Sequence, residues 1–253
     1  MGLLLNGNAP NKILYNGVEV SLYFNGSKIW PDGSPTPPTP DPYNPLNLPA
    51  NTVRVRTSDG NAPIKGTGLF AATYEIATLV AGTIDVYDVY KSGTSFKRFL
   101  YGSTNVVEIL GANTTGITEM GSMFYNCSAL TSVPLFNTSN VTSMESMFYN
   151  CSALTSVPLF NTSSVTNMNT MFYGCSSLTS IPLFDTSKVY DIRYTFMYCY
   201  NVQTGALALY NQASTQANPP GNYSNAFRFC GSNTTTGAAE LAQIPTSWGG
   251  TMS

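Results

Sequence analysis

The cysteines of this chain recur at one fixed spacing. Successive members of the set are 24 residues apart: Cys127, Cys151, Cys175 and Cys199. The blocks 123–146, 147–170 and 171–194 align without a gap, and the first two are identical at 20 of 24 positions. An internal period of this length is typical of proteins that stack one structural unit per repeat. The sequence therefore predicts a solenoid, which favours binding or a structural role over catalysis.

The repeat extends beyond these three blocks. Residues 99–122 keep the apolar positions at the same phase, with Leu100, Val106 and Ile109 standing 24 residues before their counterparts. On the other side, Cys199 and Val202 stay in phase, and residues 226–230 restart the pattern after an insertion. We therefore expect about six coils over 99–253, in a mainly β fold, with atypical coils acting as caps.

Charge is scarce in this sequence. Only 9% of the residues are charged, the net charge is −2, and Glu145 is the one charged residue between Met123 and Phe184. A surface without a basic stripe argues against binding to nucleic acid. No stretch of 18 or more apolar residues is present, so no membrane insertion is expected. The first ten residues lack the basic and apolar regions of a signal peptide, which predicts a protein without that export signal.

The residue types that catalysis and metal binding usually need are missing or scattered. The chain has no histidine, and its acidic residues are scattered, so we expect no catalytic residues and no enzyme. Thiols placed once per coil would spread along the stack instead of converging on one ion. We expect no metal and no cofactor, and we interpret the cysteines as buried, reduced core residues.

Composition divides the chain into four segments. Residues 1–30 contain two Asn-Gly pairs between β-prone residues, which predicts a small β-hairpin module. Residues 31–49 hold eight of the sixteen prolines and read as a stiff linker. Residues 50–98 contain short β-like runs and are interpreted as a β-rich cap on the repeat domain, residues 99–253. The module is too small to be stable alone, so it is expected to anchor to a larger assembly.

Within one repeat, an aromatic residue, Phe124, is followed by apolar residues at the spacing of a leucine-rich repeat strand. These residues are Cys127, Leu130, Val133 and Leu135. This pattern resembles the BspA-like leucine-rich repeats of bacterial and phage surface proteins, most closely over 99–205. The resemblance implies a stack of coils used in adhesion or recognition. Pro134 departs from it, because proline removes a ladder donor and predicts short or irregular strands. Residues 13–30 also resemble short segments of gut bacteriophage appendage proteins.

The candidate ligand-binding residues come from alternation along the predicted strand. If Leu135 and its equivalents point inward, the next residue of each coil points outward. The resulting candidate platform consists of Phe136, Phe160 and Phe184, flanked by Asn137, Asn161 and Asp185. Aromatic rings beside amides suit an uncharged sugar. The alternative is that the rings stack on one another or turn inward and serve only the fold. A second ladder, Tyr125, Tyr149 and Tyr173, is interpreted mainly as packing.

These features predict a bacteriophage virion appendage whose leucine-rich repeat head recognises the host cell surface. The expected partners are a host glycan or protein and, through residues 1–30, structural proteins of the virion. One weak site per chain gains from multivalency, so a homo-oligomer is expected, with a trimer favoured. Two alternatives stay open: a bacterial cell-surface adhesin, and a purely structural protein that decorates a particle.

Overall fold

The computed structural model describes residues 4–5, 13–15, 18–20, 22–24, 27–30, 44–66 and 71–251. The chain divides into two compact units, Met1–Pro40 and Asp41–Ser253. The described parts are mainly β, with a four-stranded antiparallel sheet and few helices. The predicted class, mainly β, is therefore confirmed at this level.

The first unit contains short antiparallel strands. Strands β1 (Leu4–Leu5), β2 (Ile13–Tyr15) and β3 (Val18–Val20) form one sheet in that order. Strands β4 (Leu22–Phe24) and β5 (Ser27–Trp30) form a second pair. The residues between β2 and β3, and between β4 and β5, are the two Asn-Gly pairs. The antiparallel pairing of β2 with β3 and of β4 with β5 agrees with what Asn-Gly pairs between β-prone residues predict.

The second unit begins with a four-stranded sheet. Its strands are β6 (Thr52–Thr57), β7 (Ile76–Leu79), β8 (Val86–Tyr90) and β9 (Val106–Ala112), in the antiparallel order β7-β8-β6-β9. Alternation places Val53 and Val55 of β6 in the core. On the opposite face, Arg54 pairs with Asp88 of β8 at 2.6 Å. This sheet occupies the segment predicted as a β-rich cap and also includes residues 106–112, which the sequence assigns to the first repeat.

The carboxyl-terminal end of the predicted linker is folded. Residues 31–43 lie outside the described residues, but residues 44–49 are folded. The Asn44 side chain donates to the Leu48 carbonyl at 3.0 Å and accepts from the Leu48 amide at 2.9 Å. Asn113, just after β9, donates to the same carbonyl at 2.9 Å. Leu48 is buried, so this end of the proline-rich segment packs against the sheet.

The 24-residue period is visible in the backbone hydrogen bonds. In each repeat, alternate amides donate to carbonyls of the next one: Ser122 to Glu145, Phe124 to Met147 and Asn126 to Tyr149, at 2.7–2.9 Å. Parallel bridges link equivalent residues 24 apart: Ser95 to Glu119, Glu119 to Ser143, Ser143 to Asn167 and Asn167 to Asp191. Each repeat therefore lies directly on its neighbours, with amides satisfied between repeats.

The proline-containing segments are not strands. Residues 113–251, all of which the structure describes, contain isolated bridges but no strand. Pro134 and its equivalents lie in segments without regular secondary structure, as the missing amide predicts. The repeats instead turn through two left-handed positions each, for example Ser122 (φ 55°) and Asn126 (φ 57°). Non-glycine residues adopt this conformation rarely, and the sequence gives no strong signal of it.

Helices close the end of the repeats. Helix α1 (Ala206–Thr215) replaces the proline-containing segment of its coil, and α2 (Thr235–Leu241) and a 3₁₀ turn (Thr246–Trp248) follow. Gln212 of α1 donates to the Phe184 carbonyl at 2.6 Å. Glu240 of α2 accepts from the Leu207 amide at 3.1 Å, which places a carboxylate at the amino terminus of α1. Side-chain groups thus satisfy the backbone that the last full repeat exposes.

Candidate functional site

The predicted phenylalanine platform faces the interior. Phe136, Phe160 and Phe184 are 0%, 2% and 1% exposed, so the prediction that they point outward is wrong. The Phe136 and Phe160 ring centroids are 5.6 Å apart, and Phe160 also stacks on Phe148 at 6.2 Å. These rings belong to the core and offer no surface to a ligand.

The inversion has a physical reason. The prediction assumed a strand through Leu135, but the proline-containing segment has no regular pleat, so strict alternation does not apply. With the backbone free of that constraint, the larger aromatic ring takes the interior position because it buries more apolar area. The adjacent leucines take the outward position: Leu159 is 59% exposed and Leu183 is 52% exposed.

The polar residues of the predicted platform shape turns. Asn161 Oδ1 accepts from the Ser163 amide at 3.1 Å and from its hydroxyl at 2.7 Å, and Asn137 makes the same bonds to Ser139. Asp185 accepts from the Ser187 amide at 2.8 Å. Hydrogen bonds from Ser187 lower the pKa of Asp185. These are turns in which a side chain bonds the backbone two residues on, so Asn137, Asn161 and Asp185 each use a side-chain oxygen within their own loop.

The tyrosine ladder supplies the outward aromatic surface. It has four members, the three predicted tyrosines and Tyr101: Tyr101, Tyr125, Tyr149 and Tyr173. Successive ring centroids lie 4.5, 4.4 and 4.6 Å apart, with interplanar angles of 3°, 1° and 2°. All four are half-buried. Because each inner ring is covered on both faces by its neighbours, it presents only its edge and hydroxyl group to solvent.

Burial also affects the ionisation of these rings. Loss of solvent, with a smaller contribution from the neighbouring Tyr149 and Tyr101 hydroxyls, raises the pKa of Tyr125 to about 12. The pKa of Tyr173 is raised for the same reason. The phenol groups of Tyr125 and Tyr173 are therefore neutral at neutral pH.

The ladder changes character at its carboxyl-terminal end. Tyr198 stands one residue out of the tyrosine register and meets Tyr173 edge-on, at 5.2 Å and 89°. Phe229 stacks on Tyr198 at 5.5 Å and 9°, and it is exposed. We call the continuous set of rings from Tyr101 to Phe229 the aromatic column.

A guanidinium group lies at each end of the aromatic column. The central guanidinium carbon of Arg98 is 5.0 Å from the Tyr101 ring centroid, and that of Arg228 is 5.2 Å from the Phe229 centroid. Both distances are within the range of cation–π contacts. Arg98 lies in the segment that the sequence predicts to be a cap, and no sequence pattern singles out Arg228. Their relation to each other is visible only in the structure, where each lies at one end of the aromatic column.

The cysteines are buried and free, as interpreted from their spacing: Cys127, Cys151, Cys175, Cys199 and Cys230. The thiol of Cys151 donates to the Phe124 carbonyl at 3.1 Å, and the thiols of Cys127 and Cys175 make equivalent bonds. Burial raises the pKa of Cys127 to about 12 and raises those of the others as well. These thiols fill the core and are held neutral.

The described residues contain no group of three or more histidine, cysteine, aspartate or glutamate side chains that could hold a metal ion. None of the helices within these described ranges is long and apolar enough to cross a membrane. The geometry that stands out is the aromatic column and its two guanidinium groups.

Comparison with known proteins gives one match. A family model described as "Mycoplasma protein of unknown function, DUF285" matches residues 92–210, just under half of the chain. This is the segment with the 24-residue period, and it is similar to that repeat family. No curated protein and no solved structure matches the chain.

Proposed function

We propose that residues 99–253 form a BspA-like leucine-rich repeat solenoid of about six coils, and that this head recognises a host cell surface, through glycan, as part of a bacteriophage virion appendage. The match to the DUF285 repeat family supports the repeat assignment. The small hairpin module of residues 1–30 and the proline-rich segment after it are consistent with an anchor and a spacer. Virion structural proteins would bind the hairpin module.

The observation that carries the recognition role is the aromatic column. Aromatic side chains supply large contact area with little loss of side-chain entropy, and tyrosine adds a polar group at its tip. The four tyrosines stand in register and expose a row of hydroxyl groups. Three of them, Tyr125, Tyr149 and Tyr173, lie between Met123 and Phe184, where Glu145 is the only charged residue. Such a row suits a repetitive polymer, because residues 123–139 and 147–163 are identical and present the same groups.

Binding to cells tests this role. Fluorescently labelled full-length protein is incubated with bacteria isolated from the same source, before and after periodate oxidation of their surface sugars. We expect binding that periodate abolishes and protease treatment of the cells preserves. A variant carrying Tyr125→Ser, Tyr149→Ser and Tyr173→Ser should lose binding, whereas a control with the exposed Leu159→Ser and Leu183→Ser should keep it. Binding that survives periodate would refute glycan recognition.

A bacterial cell-surface adhesin is the second candidate, and the name of the matching family favours it because Mycoplasma is a cellular organism. Immunogold labelling with an antibody to residues 99–253 separates the two. Label on free particles supports the virion appendage, and label on cell envelopes supports the adhesin. If the protein decorates particles and binds no cells, its role is structural.

We also propose a homo-oligomer, with a trimer as the favoured state. Several heads acting together raise avidity without new contacts. Light scattering of the full-length protein measures the state directly. A monomer at all accessible concentrations would contradict this part of the proposal.

A further inference from the structure

The arginines of this chain fall into two groups. Three of the five make ion pairs: Arg54 with Asp88, Arg56 with Asp85 and Glu108, and Arg193 with Asp191. The other two, Arg98 and Arg228, make no ion pair with any described residue. These two are also the arginines that stack on rings at opposite ends of the aromatic column.

Arg98 has a second unusual feature. Its Nε is buried and has no hydrogen-bond partner, and it is the one such side-chain atom in the described part of the chain. Buried polar groups almost always have a partner, and a guanidinium offers five donors in a fixed fork that matches a carboxylate or sulfate. The Nε atom is itself closed to solvent, so a ligand would meet the outer nitrogens of the guanidinium, which make no ion pair with a described residue. A guanidinium in this state beside a solvent-facing ladder points to an anionic ligand group at that end.

The tyrosines between the two arginines favour the same class of ligand. Their ring faces are covered by one another, so the apolar face of a sugar cannot stack on them. What they expose is the ring edge, which is the positive side of the aromatic quadrupole, and the phenol group. Edges and hydroxyls suit an oxygen-rich, negatively charged chain better than a neutral pyranose face.

The length of the column sets the size of the ligand. Tyr101 and Phe229 are separated by five ring-to-ring steps. At about 4.8 Å per step, the column is about 24 Å long. A monosaccharide reaches one guanidinium, whereas an extended oligosaccharide with an acid group on successive units reaches both.

We propose that the aromatic column binds an acidic polysaccharide, with Arg98 and Arg228 pairing with anionic groups at its two ends and the tyrosine hydroxyls contacting the sugars between them. This rests on the proposed glycan recognition and specifies the glycan class. Arginine pairs with carboxylates through two parallel hydrogen bonds, which gives both strength and direction. The two contacts reinforce each other because one chain joins them.

The test measures affinity of the full-length protein for immobilised oligogalacturonate and for the same oligosaccharide after chemical reduction of its carboxyl groups to alcohols. We expect binding to the acidic chain, at least tenfold weaker binding to the reduced chain, and little binding to monomeric galacturonate. Arg228→Gln should weaken binding about tenfold, the size of one lost charge-assisted contact. Arg98→Gln should do the same.

Arg193→Gln is the matched control, because it removes the same charge from an arginine already paired with Asp191; it should leave binding within about twofold of the wild type. Arg228 is exposed, so its variant is expected to fold even if Arg98→Gln does not. Three results would overturn the proposal. They are equal affinity for the acidic and reduced chains, an equal loss of affinity in the Arg193→Gln and Arg228→Gln variants, and no binding to the acidic chain. If Arg228→Gln leaves glycan-dependent binding to cells unchanged, the acidic-polysaccharide proposal fails while the proposed glycan recognition is retained.

Discussion

Replacing Phe160 with alanine gives a direct measure of what the phenylalanine row does. The ring is 2% exposed and lies among Phe136, Phe148 and Phe184, with centroids 5.6, 6.2 and 6.5 Å away. Truncation removes a buried aromatic side chain and leaves a cavity between stacked rings. Core substitutions of this type cost about 3–5 kcal/mol. For a domain of this size, that loss lowers the melting temperature by about 10 °C.

The adjacent residue is the matched control. Leu159 is also large and apolar, but it is 59% exposed and buries much less area. Leu159→Ala is therefore expected to cost less than about 1 kcal/mol. Both variants are compared with the wild type by urea unfolding followed by circular dichroism, with thermal melts as a second measurement. Equal costs, or a larger cost at Leu159, would refute the inward placement of the rings and restore the sequence-based platform.

Three further predictions follow from buried or strained groups. The thiols of Cys127 and its four equivalents should resist a thiol reagent at pH 8 in the native protein and react fully after unfolding. The reason is that burial raises their pKa values. Fast labelling of the native protein would contradict this prediction. The pKa of Tyr125 is raised from 10 to about 12 in the folded protein. The contribution of this shift to stability should therefore be complete below pH 10 and decline as pH rises towards 12. Absorbance titration of the wild type and of the Tyr125→Phe variant measures the pKa. Gly205→Ala should destabilise the protein far more than Gly102→Ala. Both positions have a positive φ, but only at Gly205 would a Cβ overlap a neighbouring atom, the Ile181 carbonyl oxygen. Equal melting temperatures of the two variants would contradict this prediction.

The sequence predicted the repeat well because its period is carried by many positions at once. Cys127, Leu130 and Val133 point inward as expected, and the hydrogen bonds between repeats follow the 24-residue offset. These features depend only on which residues are apolar and on how far apart they are. A pattern shared by several copies fixes them even though each copy alone is ambiguous.

The side-chain directions beyond Val133 could not be predicted from the spacing of apolar residues. Alternation holds where a ladder keeps a strand pleated, and Pro134 prevents that ladder. The left-handed turns at Ser122 and Asn126 rotate the chain by amounts that composition does not encode. The choice between Leu135 and Phe136 for the interior is then made by ring packing across coils, which is a contact between residues about 24 positions apart.

The aromatic column explains why function would concentrate at the ends of a regular array. Inside the repeats, identical residues face identical neighbours, so each tyrosine covers the next and the surface varies little from coil to coil. Selectivity needs groups that differ, and these occur where the repetition stops: Arg98 precedes the first stacked ring, and Arg228 follows the out-of-register Tyr198. Under the proposal made above, a ligand that spans the column meets two charged ends a fixed number of repeats apart. Inserting one extra 24-residue coil should lengthen that separation by about 4.8 Å and shift the preferred oligogalacturonate to a longer chain, whereas an unchanged length preference would show that the ends act independently.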